Sequence, residues 1–385
     1  VKRILIFIDW YLPGYKAGGP VQSVANLVNF LKSMYYIDIV TTNTDYTDDT
    51  PYYQVKSNNW NQSDENVRVF YFDKKYLSFR RIAHFINPDI YDIVYINGIY
   101  SRYFSILPLF LARLKKISRI IVAPRGMFSS QSLKVKKKRK YVYIKLLKLI
   151  KWYKHVIVQV TNDYEKDIVK ELYPECEVFV ASNFPRICSK ESYSIVKLKN
   201  ELRLVFLGRI SPEKNLLFAL QVLKEISHIN IKFDVYGALH DKKYWKDCKE
   251  VYEKLPGNIE FSYKGNLKSD LVHETLMKYH ALFLPSIGEN FGHSIFETLS
   301  VGRPVIISKN TPWRDLLSNN AGWDISLKND EEFISAINKL GDMEQTEFEQ
   351  WSRKAKSMAD SFLSDSGIKL NTLKLFAYEQ DSKPA

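Results

Sequence analysis

Cysteine is scarce in this chain. Its 385 residues hold three, Cys176, Cys188 and Cys248. None lies in a C-x-x-C pair, which argues against a zinc site and a disulfide framework; a reducing compartment is the simple expectation. No run of about 18 apolar residues occurs, so no transmembrane helix is expected. The apolar stretch Val1 to Trp10 is short and has the pattern of a first buried strand. Asp-x-Asp, the short acidic motif often used to hold a divalent metal, is absent. G-x-G-x-x-G is absent too, which disfavours a dinucleotide site. There is no low-complexity tract and no internal repeat, which sets aside solenoids and arrays. Acidic residues are in deficit: 43 Asp and Glu stand against 56 Lys and Arg, a formal net charge of +13. Such a surplus suits nucleic acid, anionic lipid or phosphorylated partners, or simply a solvated basic surface.

What is present is ordinary globular material, 45% hydrophobic and 26% charged, with 25 Tyr and 22 Phe. At roughly 150 residues per domain, two domains are expected. Arg3 to Asp9 is a continuous apolar run typical of a strand covered on both faces. A loop with Pro13, Gly14, Gly18, Gly19 and Pro20 follows, then helical spacing from Val21 to Leu31. Strand, glycine-rich loop and helix make the first βα unit of a doubly wound sheet. Runs at 36–41, 67–72, 93–96, 120–123 and 156–160 continue the alternation, and the polar stretch Thr44 to Glu65 is expected to be a long loop. A second series begins at Leu202, with strands expected at 204–207, 232–236, 259–263, 281–285 and 304–308. The linker is placed at about 183 to 200, and the final segment 347–378 is expected to be helical. The domain reading is 1–185, 200–365 and a C-terminal helix or tail at 366–385 packing back on the first domain.

Two motifs carry chemistry. The first, Ser286-Ile-Gly-Glu289-Asn-Phe-Gly-His-Ser-Ile-Phe-Glu297, follows an apolar run and opens a helix. Gly292, His293 and Ser294 fall at the helix start, where free backbone N–H groups and the positive end of the dipole suit a phosphate. Glu289 lies in the loop and Glu297 on the helix, two carboxylates able to accept hydrogen bonds from sugar hydroxyls. The plainer reading makes Glu297 an ordinary acid of the first turns. The second motif, Gly208-Arg209-Ile-Ser-Pro-Glu-Lys214-Asn215, also follows a strand. Gly208 allows close backbone approach. Arg209 and Lys214 bring two cations to one spot, able to stabilise a departing diphosphate and to stand in for a metal. The plainer reading is a loop with surface cations.

Arg209, Lys214 and the Glu289-x7-Glu297 pair together resemble the family-4 glycosyltransferases, retaining enzymes of the GT-B architecture. The resemblance implies an α/β fold of two Rossmann-like domains facing across a cleft, the nucleotide sugar bound by the second and the acceptor by the first. Arg209 and Lys214 inherit the donor diphosphate, Glu289 the transferred sugar and Glu297 the ribose. Asn290, Phe291, Gly292 and His293 inherit backbone contacts, and Tyr263, Lys264 and Gly265 lie near the implied base pocket. The Gly18-Gly19 pair resembles the family's N-terminal glycine loop. One departure stands out. Many members carry a His near the reacting sugar where this chain has Val122-Ala-Pro-Arg125-Gly126-Met-Phe128, a sequence resembling a subset of capsule and lipopolysaccharide enzymes. Arg125 is then open between a donor phosphate, a charged acceptor group and a structural ion pair. Trp313 and Arg314 are expected to line the cleft.

No metal or other cofactor is expected beyond the nucleotide-diphosphate sugar, with UDP favoured from the resemblance. Lys134 to Lys148 interleaves cations with aromatic and aliphatic residues, which points to an anionic membrane surface and suits a glycan or lipid-linked acceptor at the inner face of a bacterial cell membrane. No nucleic-acid module is visible. The remaining histidines lack ligand spacing. Two other classes stay open: a nucleotide-sugar epimerase on the same architecture, and a non-catalytic sugar or nucleic-acid binding module.

Overall fold

Short runs of β-branched and aromatic residues pack on both faces here, and they form two largely parallel sheets. The computed structural model describes residues 1–128, 137–186 and 195–377. The chain divides into two compact units: Val1–Phe184 with the segment from Ser366, and Pro185–Asp365.

In the first unit the strands are β1 Arg3–Phe7, β2 Tyr36–Thr42, β3 Trp60–Asp64, β4 Val67–Phe72, β5 Ile93–Asn97, β6 Arg119–Ala123, β7 Ile157–Val160 and β8 Glu177–Val180. They lie in the order β3-β4-β2-β1-β5-β6-β7-β8. All neighbours are parallel except β3 and β4. Alternate residues of β1 serve opposite cores. Ile4 and Ile6 pack with Val24, Leu27 and Leu31 of the helix Gly19–Leu31, while Leu5 and Phe7 face the other layer. Pro20 sits in the first turn of that helix, where its missing N–H is no loss. The helix Ser366–Ala377 belongs to this unit: the Phe376 ring stacks on Tyr95 with centroids 5.7 Å apart.

The second unit has β9 Glu201–Leu207, β10 Asn230–Tyr236, β11 Ile259–Gly265, β12 Ala281–Leu284, β13 Val305–Ser308 and β14 Gly322–Ile325. Their order is β11-β10-β9-β12-β13-β14, parallel throughout. The 20-residue helix Gln345–Ser364 closes one side through Phe348, Trp351, Ala355 and Ala359.

Three strands depart from the sequence reading. The stretch Thr44 to Glu65 is not loop throughout, because β3 forms within it and pairs with β4 at the sheet edge. Its side chains, Trp-Asn-Gln-Ser-Asp, are half-buried or exposed, so no apolar period marks it. β8 and β14 are also edge strands, and each contains an acid, Glu177 or Asp324, that interrupts the apolar run. In each sheet the winding reverses beside the first strand of its unit, between β1 and β5 and between β9 and β12. Ligands of doubly wound sheets sit outside the C-terminal strand ends at such reversals.

Candidate functional site

Both chemical motifs of the second unit fall at its reversal point. Gly208 follows β9 and Ser286 follows β12, on neighbouring strands. Lys214 and Glu289 meet there: Lys214 Nζ donates to Glu289 Oε1 at 2.6 Å and to Oε2 at 2.7 Å. Ser286 Oγ donates to the same Oε1 at 2.6 Å. Both side chains of the pair are largely buried, 17% and 8% exposed, so the ammonium and carboxylate stand fixed rather than loose in solvent. Backbone bonds tie the two loops together: Ile287 N donates to Glu213 O, and Asn215 Nδ2 to Pro285 O. Arg209 has a partner of its own. Its guanidinium pairs with Glu213 at 3.7 Å, nearer solvent. The expected double cation is therefore two ion pairs, each cation with its own carboxylate.

The loop after β12 turns into the helix His293–Ser300 through Gly292, whose φ of 78° is left-handed. A Cβ there would meet only the end of the Ile295 side chain, which can shift, so the backbone angle is what favours glycine. Glu297 lies on this helix and is 6% exposed. Burial pushes its carboxyl up to about 7, against a smaller opposing pull from the Arg186 charge. A carboxyl so placed gains from ligand hydroxyls that replace the water it has lost. Phe291 and Trp313 are core residues: their rings pack with Phe296 and Phe362, and Trp313 Nε1 donates to Phe291 O at 2.7 Å. The expectation that Trp313 lines a cleft is corrected, because its ring is buried inside the second unit at 6% exposure. Arg314 keeps its guanidinium near the Trp313 carbonyl.

Within the fold itself, the closest backbone approach at this site is at Gly237. A Cβ on Gly208 would make ordinary contact with Lys214, whereas one on Gly237 would lie 1.8 Å from the Gly208 carbonyl oxygen. Gly237 follows β10, and its N–H donates to Gly265 O at 2.8 Å while Tyr263 Oη donates to Gly237 O at 2.8 Å. Gly265, φ 73°, ends β11 in that same chain of turns. Lys264 stands 3.5 Å from Asp234, which also accepts from Tyr279 Oη at 2.7 Å. Sequence reasoning missed Gly237; its only signal was a glycine directly after a strand.

The first unit has its own polar rim at the strand ends. Gly18, φ 70°, and Gly19 open the helix after β1, and their loop is pinned by Tyr15 N and Lys16 N donating to the Asp45 carboxylate. Asp9, just past β1, accepts from Ser101 Oγ at 2.6 Å, and burial pushes its carboxyl up to about 6. Arg125 follows β6 in the left-handed region, φ 54°, which costs a non-glycine residue about 1 kcal/mol. Its Nε donates to Asn97 Oδ1 at 2.9 Å, one terminal nitrogen to Tyr95 Oη at 2.6 Å and the other to Asn183 Oδ1. None of these is a carboxylate, so the ion-pair reading of Arg125 is overturned. Asp9, Tyr95, Asn97 and Asn183 were not singled out from sequence, although Asp and Asn at strand ends were visible.

Among the described residues no group of His, Cys, Asp and Glu is arranged to hold a metal ion. No helix among them is long and apolar enough to cross a membrane. Lys134 to Lys136 lie outside the described residues. His280 is structural: its Nδ1 accepts from Arg203 N at 2.9 Å, its ring packs on Phe348, and burial takes it down to about 4.

Comparison with known proteins agrees with this geometry. Residues 189–358 match the family model described as Glycosyl transferases group 1. A curated relative is a GDP-Man:Man(3)GlcNAc(2)-PP-Dol alpha-1,2-mannosyltransferase of Caenorhabditis elegans, 24% identical over 198 residues. That match takes in 47% of this chain and 40% of the relative, less than half the relative's length. Among solved structures, a sucrose-phosphate synthase of Thermosynechococcus elongatus superposes with TM-score 0.70 and 14% identity, covering 98% of this chain and 99% of its own. HepE of Anabaena, solved in complex with UDP and glucose, gives TM-score 0.66 and 13% identity, covering 98% and 100%. The chain has the GT-B fold, and the family-model match falls on its second unit.

Proposed function

We propose that the protein is a retaining glycosyltransferase that moves a sugar from a nucleotide-diphosphate sugar to a glycan or lipid-linked acceptor in surface polysaccharide synthesis. The observation that carries the reading is the buried Lys214–Glu289 pair at the reversal point of the unit on which the family-model match falls. A diphosphate leaving group gathers negative charge as the sugar–phosphate bond breaks, and a fixed ammonium stabilises that charge without reorganising. Glu289, held by Lys214 and Ser286, offers a carboxylate to hydroxyls of the departing sugar. Glu297 offers another to the ribose. Arg209, half-exposed beside Glu213, turns from that acid to a phosphate when one arrives. The first-turn amides of the helix His293–Ser300 complete the anion cradle. The sugar passes through an oxocarbenium-like state, and the leaving phosphate helps deprotonate the acceptor hydroxyl on the same face.

UDP is the favoured nucleotide; the solved relative from Anabaena holds UDP. Thermal-shift binding of UDP, GDP and ADP, beside Arg209→Ala, tests the donor site. One diphosphate is expected to stabilise the chain, by roughly 1.4 kcal/mol at ten times its Kd, and to lose that effect in the variant. No response to any of the three at millimolar concentration removes the donor assignment. NMR of the product then decides retention, which requires the donor's anomeric configuration.

Membrane association is part of the same proposal. On the helix Lys137–Leu149, Ile144 and Leu147 turn inward, while Val142, Leu146 and Leu149 form an exposed stripe beside Lys145 and Lys148. Apolar side chains flanked by cations suit an anionic bilayer interface. Sedimentation with vesicles containing phosphatidylglycerol is expected to retain the wild type and to release Leu146→Glu/Leu149→Glu. Equal retention of both would show that this helix is not the anchor.

A further inference from the structure

Among the described residues, the polar rim of the first unit holds a cation that makes no ion pair. Arg125 has five N–H donors, and three are used: Nε on Asn97, one terminal nitrogen on Tyr95 and the other on Asn183. All three acceptors are neutral. Their own positions are fixed in turn. Tyr95 Oη donates to Gln159 Oε1 at 2.7 Å, and Gln159 Nε2 donates to Ala181 O at 3.0 Å, so the network spans β5, β6, β7 and the end of β8. Tyr95, Asn97, Gln159 and Asn183 are all buried. The acids that share the rim are engaged elsewhere. Glu165 accepts from Gly126 N at 2.7 Å, Thr161 N at 2.9 Å and Thr161 Oγ1 at 3.0 Å, and Asp9 accepts from Ser101. Among the described residues Arg125 makes no ion pair. Two N–H donors remain, one on each terminal nitrogen, which is the number an oxyanion takes from a guanidinium in a forked pair.

A guanidinium held rigid by neutral dipoles, in a left-handed backbone position and at the strand ends where ligands bind, is built to receive an anion rather than to stabilise the fold. We propose that Arg125 is the binding residue for an anionic group, phosphate or carboxylate, on the acceptor. This rests on the glycosyltransferase reading and narrows its substrate: the acceptor is a phosphorylated or acidic glycan, not a neutral one. Asn97, Tyr95 and Asn183 are positioning residues that aim the guanidinium.

The test uses the full chain with UDP at saturation, so that the nucleotide side is filled. Inorganic pyrophosphate and methyl glucuronide are then titrated calorimetrically against the wild type, Arg125→Gln and Asn183→Asp. The second variant keeps the arginine but gives it an internal carboxylate, so a loss there does not come from removing the cation or its packing. At least one probe is expected to bind the wild type and to weaken by about tenfold or more in both variants, while UDP affinity changes by less than about twofold. Binding of pyrophosphate alone assigns a phosphorylated acceptor, and binding of the glucuronide alone an acidic sugar. The proposal is overturned if neither probe binds at millimolar concentration, or if Asn183→Asp binds like the wild type. It is also overturned if Arg125→Gln weakens UDP as much as the probe, which would put Arg125 on the donor. Should UDP itself not bind, the donor reading fails separately, and the same titration without UDP still decides the anion site.

Discussion

Two buried carboxyls, Asp9 and Glu297, are held uncharged more readily than free acids because burial strips the water that would stabilise their ions. The sign of the consequence follows from proton linkage. Each folded-state value is raised, so the folded chain binds more protons than the unfolded chain between the two values. The stability this contributes is complete below the unfolded value and is lost as pH rises through the folded one. For Glu297 the window runs from 4.5 to about 7, and ionising it in the folded chain costs about 3 kcal/mol. For Asp9 it runs from 3.8 to about 6. Glu297→Gln should therefore raise the ligand-free stability at pH 8 by up to about 3 kcal/mol and leave it little changed near pH 4, while weakening nucleotide binding. Urea unfolding at both pH values checks this; a variant no more stable than the wild type at pH 8 would contradict it. Glu297 itself was legible in the sequence from its spacing to Glu289. Its burial was not, because the rings that pack on Phe296 of this helix include Trp313 and Phe362, which are distant in the chain.

At the scale of elements, the site depends on turns that leave no room for a Cβ. Gly237 is the clearest case. The Gly208 carbonyl oxygen would stand 1.8 Å from its Cβ, and that carbonyl belongs to backbone held by Gly208 N donating to Tyr236 O and Ile210 N to Ala238 O just past the paired strands. Gly237→Ala should then destabilise the second unit by about 2–4 kcal/mol, since neither strand end can retreat cheaply, and should displace the loop that carries Arg209 and Lys214. Denaturant unfolding with a parallel UDP titration measures both effects. Unchanged stability and unchanged affinity together would mean that the turn yields more easily than its geometry indicates. The strands bearing the site, β9 and β12, were visible as apolar runs because a parallel strand buried on both faces writes an unbroken hydrophobic stretch. β3, β8 and β14 were not, since each is an edge strand with polar or charged residues in it, which leaves no such stretch.

At the scale of the whole molecule, the chain does not fold in two consecutive blocks. It leaves the first unit at Phe184, builds the second, and returns at Ser366. The returning helix places Leu375 and Phe376, each 1% exposed, into the core of the first unit beside Tyr35 and Tyr95. Phe376→Ala should cost the first unit about 3–5 kcal/mol, the usual penalty for deleting a buried phenyl, while leaving the second unit unchanged. Hydrogen exchange resolved by unit reads the difference; equal loss of protection in both units would deny this partition. Tyr95 also accepts from Arg125, so the same variant should loosen the anion site.

Local pattern alone determined the α/β alternation, the two charged motifs and the strands that present them, because those depend on residues close together in the chain. Arg209, Lys214, Glu289 and Glu297 could be named from spacing. Only the tertiary structure decided which charges meet. It paired Lys214 with Glu289 and Arg209 with Glu213, set a steric demand for glycine at Gly237, and put Trp313 in a core. It also surrounded Arg125 with neutral acceptors drawn from β5 and from the loop after β8. Charge pairing and burial depend on distances across the sheet, and those are set by the strand order, which local sequence does not state.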